Sequence, residues 1–238
     1  MDLFLSSRNQ TFLLMNQGFP DELMLAAGHY EWMLSRGYPQ KAALKLVGDR
    51  FRLSGSLRQV LYRGISAAEQ AEARRKKLGS VREGDLVLVD TYNVLFTVNN
   101  YLLGRPVFIS NDGLLRDAGE MRGRITNKPV FSKGINLLLD VMKEWKHVQV
   151  TLYLDEPVSY SGRLAIELSK DMAEMDIEGE AFTVNSPDHM LKHEASDAIC
   201  TSDSAIIDHY GRRIVDLARL ILDRYYQPDY PVLPVRSL

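Results

Sequence analysis

The stretch Asp85-Leu86-Val87-Leu88-Val89-Asp90-Thr91-Tyr92-Asn93 decides the fold. A short, partly β-branched apolar run closed by an acid reads as a strand buried on both faces, as in a parallel sheet. The same signal recurs downstream. Val148 to Leu154 is a second strand, ending at Asp155-Glu156. Glu180 to Val184 is a third, ending before Asn185-Ser186-Pro187-Asp188, and Asp197 to Thr201 is a fourth, ending at Ser202-Asp203. Helical spacing lies between them, over Ile135 to Trp145 and Ser161 to Met175. Alternating strands and helices imply a parallel sheet with helices on both faces, a three-layer, Rossmann-like α/β domain. The tail, Gln227 to Leu238, carries three prolines and reads as an edge segment or an arm.

Upstream of Gly84 the pattern is different. Pro20-Asp21-Glu22 opens a helix with apolar residues at Leu23, Leu25, Ala26, Tyr30 and Met33, with acids in its first turn. Gly37-Tyr38-Pro39 breaks it, and Pro39 starts a second helix, Gln40 to Val47, which Gly48 should end. A third follows a cap at Ser54 or Ser56 and contains Leu57, Val60 and Leu61. Three short helices with tight turns read as a small all-α unit resembling a helix-turn-helix. Ser66 to Arg82, with the run Arg74-Arg75-Lys76-Lys77, reads as a basic linker, helical or flexible. The expected organisation is therefore a helical domain over 1–65, a linker over 66–83 and an α/β domain over 84–238.

Charge is unevenly spread. Residues 1–83 hold 13 Lys and Arg against 8 Asp and Glu, whereas residues 84–238 hold 16 against 23. A basic part joined to an acidic part suits a nucleic-acid grip beside a metal-binding pocket. Within Lys41 to Lys77 there are 10 basic and 3 acidic residues, and Phe51 and Tyr62 are interleaved with Arg52, Arg58 and Arg63. Such side chains give sequence-independent contacts to phosphates; the plain alternative is a solvated helical face. Tyr30, Trp32 and Phe51 read as core rather than as platforms for bases. The single cysteine, Cys200, excludes a disulfide framework and a cysteine-rich zinc site. No apolar run is long enough for a membrane helix, and Met1 to Gln10 lacks the basic leader of a secretory signal, so a cytoplasmic protein is expected.

The carboxyl ends of parallel strands open into one crevice, where α/β folds place their sites. Asp90, Asp155, Asp188 and Asp203 all follow strands. Carboxylates brought together there repel each other and resist desolvation, and a hard cation with oxygen ligands, Mg²⁺ or Mn²⁺, is the usual compensation. The competing reading makes each acid the N-cap of the next helix.

Two blocks carry a family resemblance. Leu86 to Leu95, with Asp90-Thr91-Tyr92-Asn93, is similar to the opening strand of PIN and NYN-type nucleases. Asp188-His189-Met190-Leu191, followed by Asp197 to Asp203, resembles the later block of the same PIN-like superfamily, an acid on a short helix and then a strand ending in Thr/Ser-x-Asp. The whole chain also resembles a prokaryotic family that joins a helical domain to a PIN-like domain. The resemblance covers roughly residues 84–210. It implies a Mg²⁺- or Mn²⁺-dependent endoribonuclease acting on RNA, compatible with a homo-oligomer and with no membrane partner.

Carried over, the resemblance makes Asp90, Asp188 and Asp203 metal ligands and catalytic residues, with Asp155 and Asp208 as further ligands. Asn93 would orient Asp90 or touch substrate; Lys192 and Ser204 would also contact substrate, as would the grip Arg74, Arg75, Lys76 and Lys77. PIN enzymes add an acid from a helix between the first two strands. Asp112, Asp117 and Glu120 are candidates; Asp117 is preferred, as a further catalytic residue, because Arg116 beside it could hold a phosphate. Asp197 begins its strand and reads as structural.

Other readings fit less well. A haloacid-dehalogenase phosphatase needs a second Asp where Tyr92 stands, and dinucleotide binding needs glycines that Asp90 to Leu95 lacks. His189 and His193 are one turn apart but lack a third zinc ligand in register. A non-catalytic module that binds RNA or protein, with the acids as caps, remains as the alternative.

Overall fold

A computed structural model of the chain describes residues 18–118, 125, 127–209 and 211–233. The chain divides into two units. One takes residues 18–76, 104–118 and 228–233; the other takes 77–103 and the described residues up to 227.

The first unit is built on helices α1 (Asp21–Leu34), α2 (Gln40–Arg50), α3 (Gly55–Gly64) and α4 (Ala68–Arg75). Leu23, Ala26, Ala27 and Tyr30 form the buried stripe of α1, whereas Leu25, expected on that face, is 59% exposed. They pack with Ala43, Val47, Val60, Leu61 and Ile65 into one core. Of the two candidate caps, Ser54 is the one used: its hydroxyl accepts the Leu57 amide at 3.3 Å. Gly48 does not end α2, which runs on to Arg50. It lies inside the helix because the Arg58 guanidinium crosses it, so close that a Cβ there would be 2.3 Å from a guanidinium nitrogen.

Of the two forms expected for the linker, the helical one is found over Ala68–Arg75, as α4, and its basic residues work inside the unit. Arg74 is buried and reaches the Asp112 carboxylate at 3.0 Å. Arg75 donates to the Asn111 carbonyl and pairs with Glu72 at 2.9 Å. Lys76 also reaches Glu72. A charge run looks like a solvated face in sequence because its partners, Asp112 and Asn111, lie far along the chain.

An antiparallel hairpin, β2 (Val107–Ile109) and β3 (Leu115–Asp117), also belongs to this unit. Phe108 enters the core beside Gly64, and Leu233 joins it. The described part of the tail, up to Leu233, acts as an edge segment: Val232 bridges to Ile109, and the Leu233 amide donates to the Ile109 carbonyl at 2.9 Å.

The second unit is an α/β layer structure. Its strands are β1 (Leu86–Asp90), β4 (Gln149–Asp155), β5 (Gly179–Val184), β6 (Ala198–Cys200) and β7 (Arg213–Val215), all parallel, in the order β5-β4-β1-β6-β7. Val87, Val89, Val150, Leu152, Leu154 and Ile199 are buried, which is why these strands read as apolar runs. Its helices are α5 (Thr91–Leu102), α6 (Lys128–Met142), α7 (Ser161–Glu174), α8 (Pro187–His193), α9 (Ser204–His209) and α10 (Leu217–Tyr225). The chain runs one way from β1 to β4 to β5 and back the other way to β6 and β7; with the right-handed crossovers usual for parallel strands, such a reversal puts helices on both faces. Accordingly α5 packs with α6 and α10, and α8 packs with α9. The chain order reverses at β1, and the crevice between the ends of β1 and β6 is the topological switch point. None of the described helices is long and apolar enough to cross a membrane.

Candidate functional site

Asp90 stands at this switch point. Its backbone ends β1, and its side chain caps α5, accepting the Asn93 amide at 3.4 Å. The other carboxylate oxygen accepts the Thr201 hydroxyl at 2.9 Å from the end of β6. Asn93 makes the second tie across the crevice: its side-chain oxygen accepts the Ser202 amide at 2.9 Å and the Ser202 hydroxyl at 3.0 Å. Thr201 Oγ1 in turn accepts the Asp203 amide at 3.1 Å, and Asp203 caps the next turn by accepting the Ala205 amide at 2.7 Å. The caps of two helices and the floor of the crevice are thus one hydrogen-bonded network.

The electrostatics are strained in the direction that an acidic pocket requires. Burial pushes the Asp90 carboxyl up to about 7; the Asp155 and Asp203 charges add to this, and the bonds from Thr201 and Asn93 oppose it. Asp155, half-buried at the end of β4, is raised by its own burial and by Asp188. Asp188 lies exposed in the first turn of α8, behind the cap that Ser186 gives His189. The four acids form a chain of neighbours along the sheet edge. They do not form a closed ligand set: among the described residues no three His, Cys, Asp or Glu side chains could hold one metal ion. The donors suit a hard divalent cation in kind, being all carboxylate oxygens and mutually repelling.

Other sequence candidates lie elsewhere. Asp208 is exposed near the end of α9, and the charges raising Asp90 and Asp155 do not include it. Lys192 and Ser204 are half-buried on α8 and α9. The acid expected on a helix between the first two strands is corrected. Asp112 and Asp117 sit on the hairpin of the other unit, where Asp117 pairs with Arg63 at 3.4 Å and Arg116 with Asp112 at 2.7 Å. Arg116 also donates to the Arg63 carbonyl at 3.0 Å, so its guanidinium is engaged within this unit. Burial would raise the Asp112 carboxyl, but Arg116, Ser110 and Arg74 hold it below its ordinary value. Glu120 lies outside the described residues. Of the basic run, Lys77 donates to the Ile207 carbonyl at 2.6 Å. Asp197 holds the Leu86 amide at 2.9 Å at the opposite sheet edge, a structural role as its place at a strand start implied.

Three residues escaped the sequence reading. Thr201 was visible only as part of the Thr-Ser-Asp strand ending. Tyr92 reads as an ordinary apolar-face residue of a helix. Trp32 was expected in the core but is 40% exposed; it stacks with Tyr38 at 6.5 Å, and the Arg36 guanidinium lies 3.9 Å from its ring centre.

Fold and crevice together define an α/β protein with a five-stranded parallel sheet and an acidic site at its switch point, preceded in the chain by helices. The chain belongs to the family described as "Domain of unknown function (DUF5616)", matched over residues 80–220. Residues 22–77 match the family described as "Protein of unknown function (DUF434)". The chain is also similar to "Uncharacterized protein MJ0935" of Methanocaldococcus jannaschii, with 29% identity over 191 residues, 79% of this chain and 90% of that protein. No solved structure matches.

Proposed function

We propose that the chain is a Mg²⁺- or Mn²⁺-dependent, PIN-like ribonuclease of the cytoplasm whose active site is the crevice at the carboxyl ends of β1, β4 and β6. The observation that carries this reading is Asp90. It is a buried carboxyl raised to about 7 at a topological switch point, with two further carboxylates near enough to raise it. Perturbed acids in such a crevice are a functional signature. The resemblance of Asp90-Thr91-Tyr92-Asn93 and of the Asp188 to Asp203 block to PIN-like nucleases supports it.

In the proposed enzyme Asp90 would be the central cation ligand, with the charges of Asp155 and Asp203 beside it and of Asp188 beside Asp155 supplying the negative field. A divalent ion supplies Lewis acidity and lowers the pKa of a bound water. The chain's own part is positioning. Thr201 and the Asn93 amide fix both oxygens of Asp90, and Asn93 locks the β6–α9 turn that presents Asp203. The internal pairing of Arg74, Arg75 and Lys76 directs the search for a substrate grip to other residues of the first unit. The exposed Trp32 and Tyr38 with Arg36 have the chemistry for stacking bases of single-stranded RNA.

The test is cleavage of a labelled RNA pool with Mn²⁺ against EDTA, comparing wild type with Asp203→Asn. Asparagine keeps an oxygen for the Ala205 amide, so the fold is retained while the negative field loses a charge. Product that needs Mn²⁺ and is absent from Asp203→Asn is expected; the same products from both proteins would refute a role for the crevice. One observation favours a second reading, a non-catalytic RNA- or protein-binding module. Asp90 and Asp203 already serve as helix caps, and the described acids form no three-ligand group. RNA retention without cleavage in the same assay would select it.

A further inference from the structure

The hairpin of α1 and α2 carries four rings and two guanidiniums on its outer side. At its turn, α1 ends in a left-handed glycine, Gly37 at φ +77°, and the Tyr38 amide returns to the Met33 carbonyl at 3.1 Å. This folds Tyr38 back onto Trp32, with ring centres 6.5 Å apart and planes within 29° of parallel, while the Arg36 guanidinium lies 3.9 Å from the Trp32 centre. Trp32 is 40% and Tyr38 48% exposed. His29, three residues before Trp32 on the same helix, is its surface neighbour. It is exposed and meets the half-buried Phe51 at 5.3 Å, and the Arg50 guanidinium lies 5.9 Å from the Phe51 centre. The same combination, paired rings beside a guanidinium, therefore occurs twice along one strip.

Charge selects the occupant. Trp32 to Arg52 holds five Lys and Arg against one acid, Asp49. Asp49 neutralises Lys45 at 2.8 Å and Arg58 at 2.9 Å. Arg36 and Arg50, the two beside rings, form no ion pair with a described residue, and neither do the exposed Lys41 and Arg52. Flat rings that alternate with free cations match a ligand that alternates planar bases with anions, which is a single strand of nucleic acid. A duplex keeps its base faces stacked inside and offers the rings nothing. Each ring is already held by its neighbour, so little rotamer freedom is left to lose on binding. We propose that this strip binds a single strand, with one base on Trp32 and Tyr38, a neighbouring base on His29 and Phe51, and the remaining N–H groups of Arg36 and Arg50 on the phosphates. This rests on the RNA reading given above and fixes where the strand lies; it requires neither a cation nor cleavage, since stacking and phosphate contacts act in EDTA.

The test uses the full chain in EDTA with a fluorescein-labelled single-stranded RNA of mixed sequence, read by fluorescence anisotropy at several salt concentrations, with thermal unfolding recorded for every variant. Trp32→Leu, which keeps apolar bulk without the aromatic face, and His29→Ala are each expected to weaken binding roughly 5–150-fold. Arg36→Gln and Arg50→Gln are each expected to flatten the salt dependence by about 0.7 in the log–log slope. The two tryptophans of the chain are Trp32 and Trp145. In a Trp145→Phe background, the emission of Trp32 is expected to fall as unlabelled RNA is added, a signal that a purely structural Trp32 would not give. Wild-type affinity in both Trp32→Leu and His29→Ala, or binding without quenching of Trp32, would place the strand elsewhere and overturn the proposal. Equal affinity for the duplex form of the same RNA would overturn it too, as would a preference for anionic phospholipid vesicles over RNA. Single-stranded DNA bound as tightly as RNA would support the strip and show that the sugar is not read. Binding on the strip without any Mn²⁺-dependent cleavage leaves the proposal standing and refutes only the crevice. A wild type that binds no single strand overturns the strip, and the cleavage assay still judges the crevice.

Discussion

Replacing Asp90 by asparagine is expected to stabilise the metal-free protein at pH 8, an unusual sign for a substitution at a buried hydrogen-bonded site. The carboxyl moves from an ordinary value of 3.8 to about 7 on folding. A group raised in the native state contributes stability that is complete below the unfolded value and is lost as pH rises through the folded one. Across that interval, at about 1.4 kcal/mol per pH unit, the ionised Asp90 costs the native state about 4 kcal/mol by pH 8. Asparagine removes this cost and keeps an oxygen for the Asn93 amide. It loses the charge-assisted bond from Thr201, about 1–2 kcal/mol. The net expectation is a gain of about 2–3 kcal/mol at pH 8, shrinking steadily below pH 7 and reversing to a small loss near pH 4. Urea midpoints measured from pH 4 to pH 8 in EDTA read this directly. The reasoning fails if Asp90→Asn is the less stable protein at pH 8, or if the difference between the two proteins does not change with pH.

Arg74→Ala should destabilise the protein by about 2–4 kcal/mol, measured by urea unfolding, because it strips one of two guanidinium partners from the buried Asp112; an unchanged midpoint would return Arg74 to the surface. Gly179→Ala should be more severe and prevent purification of a folded protein by the test of near-UV circular dichroism, because the added Cβ would stand 1.9 Å from the Val150 carbonyl oxygen at a φ of +147°. Trp32→Ala should weaken binding to a single-stranded RNA oligomer by about 1–3 kcal/mol in fluorescence anisotropy, with no matching fall in unfolding temperature, since the ring is largely outside the core.

What could be read from the sequence depended on how local the cause was. β1, β4 and β5 were legible because a strand covered on both faces must be apolar throughout, and the acids at their ends were legible by position. The first three helices were legible from spacing and from Pro20, Pro39 and Ser54. The hairpin was missed because its strands are three residues each and its turn is held by Asp112, whose partner Arg74 is 38 residues distant. β7 was missed for the same brevity. The site was half legible. Asp90, Asp155 and Asp203 are neighbours, as strand order implies, whereas Asp117 and Arg116, expected near a helix, lie on a hairpin whose ion-pair partners are distant in sequence. No local pattern could have exposed the buried hydroxyl of Tyr92, unpartnered among the described residues.

The first unit is stitched from three separated stretches of chain, and Leu233, in the last of them, is 1% exposed in its core. During synthesis its helices emerge well before Leu233, and that core closes only when Leu233 has followed them. The second unit, by contrast, has all its strands once Val215 has emerged. Of the two units, the one whose helices are made earlier is therefore the one completed later. Any attempt to express the helical half alone by cutting between residues 76 and 84 would deprive it of Phe108 and Leu233, and a permuted gene that brings the tail next to Phe19 would be the better route to an independent piece.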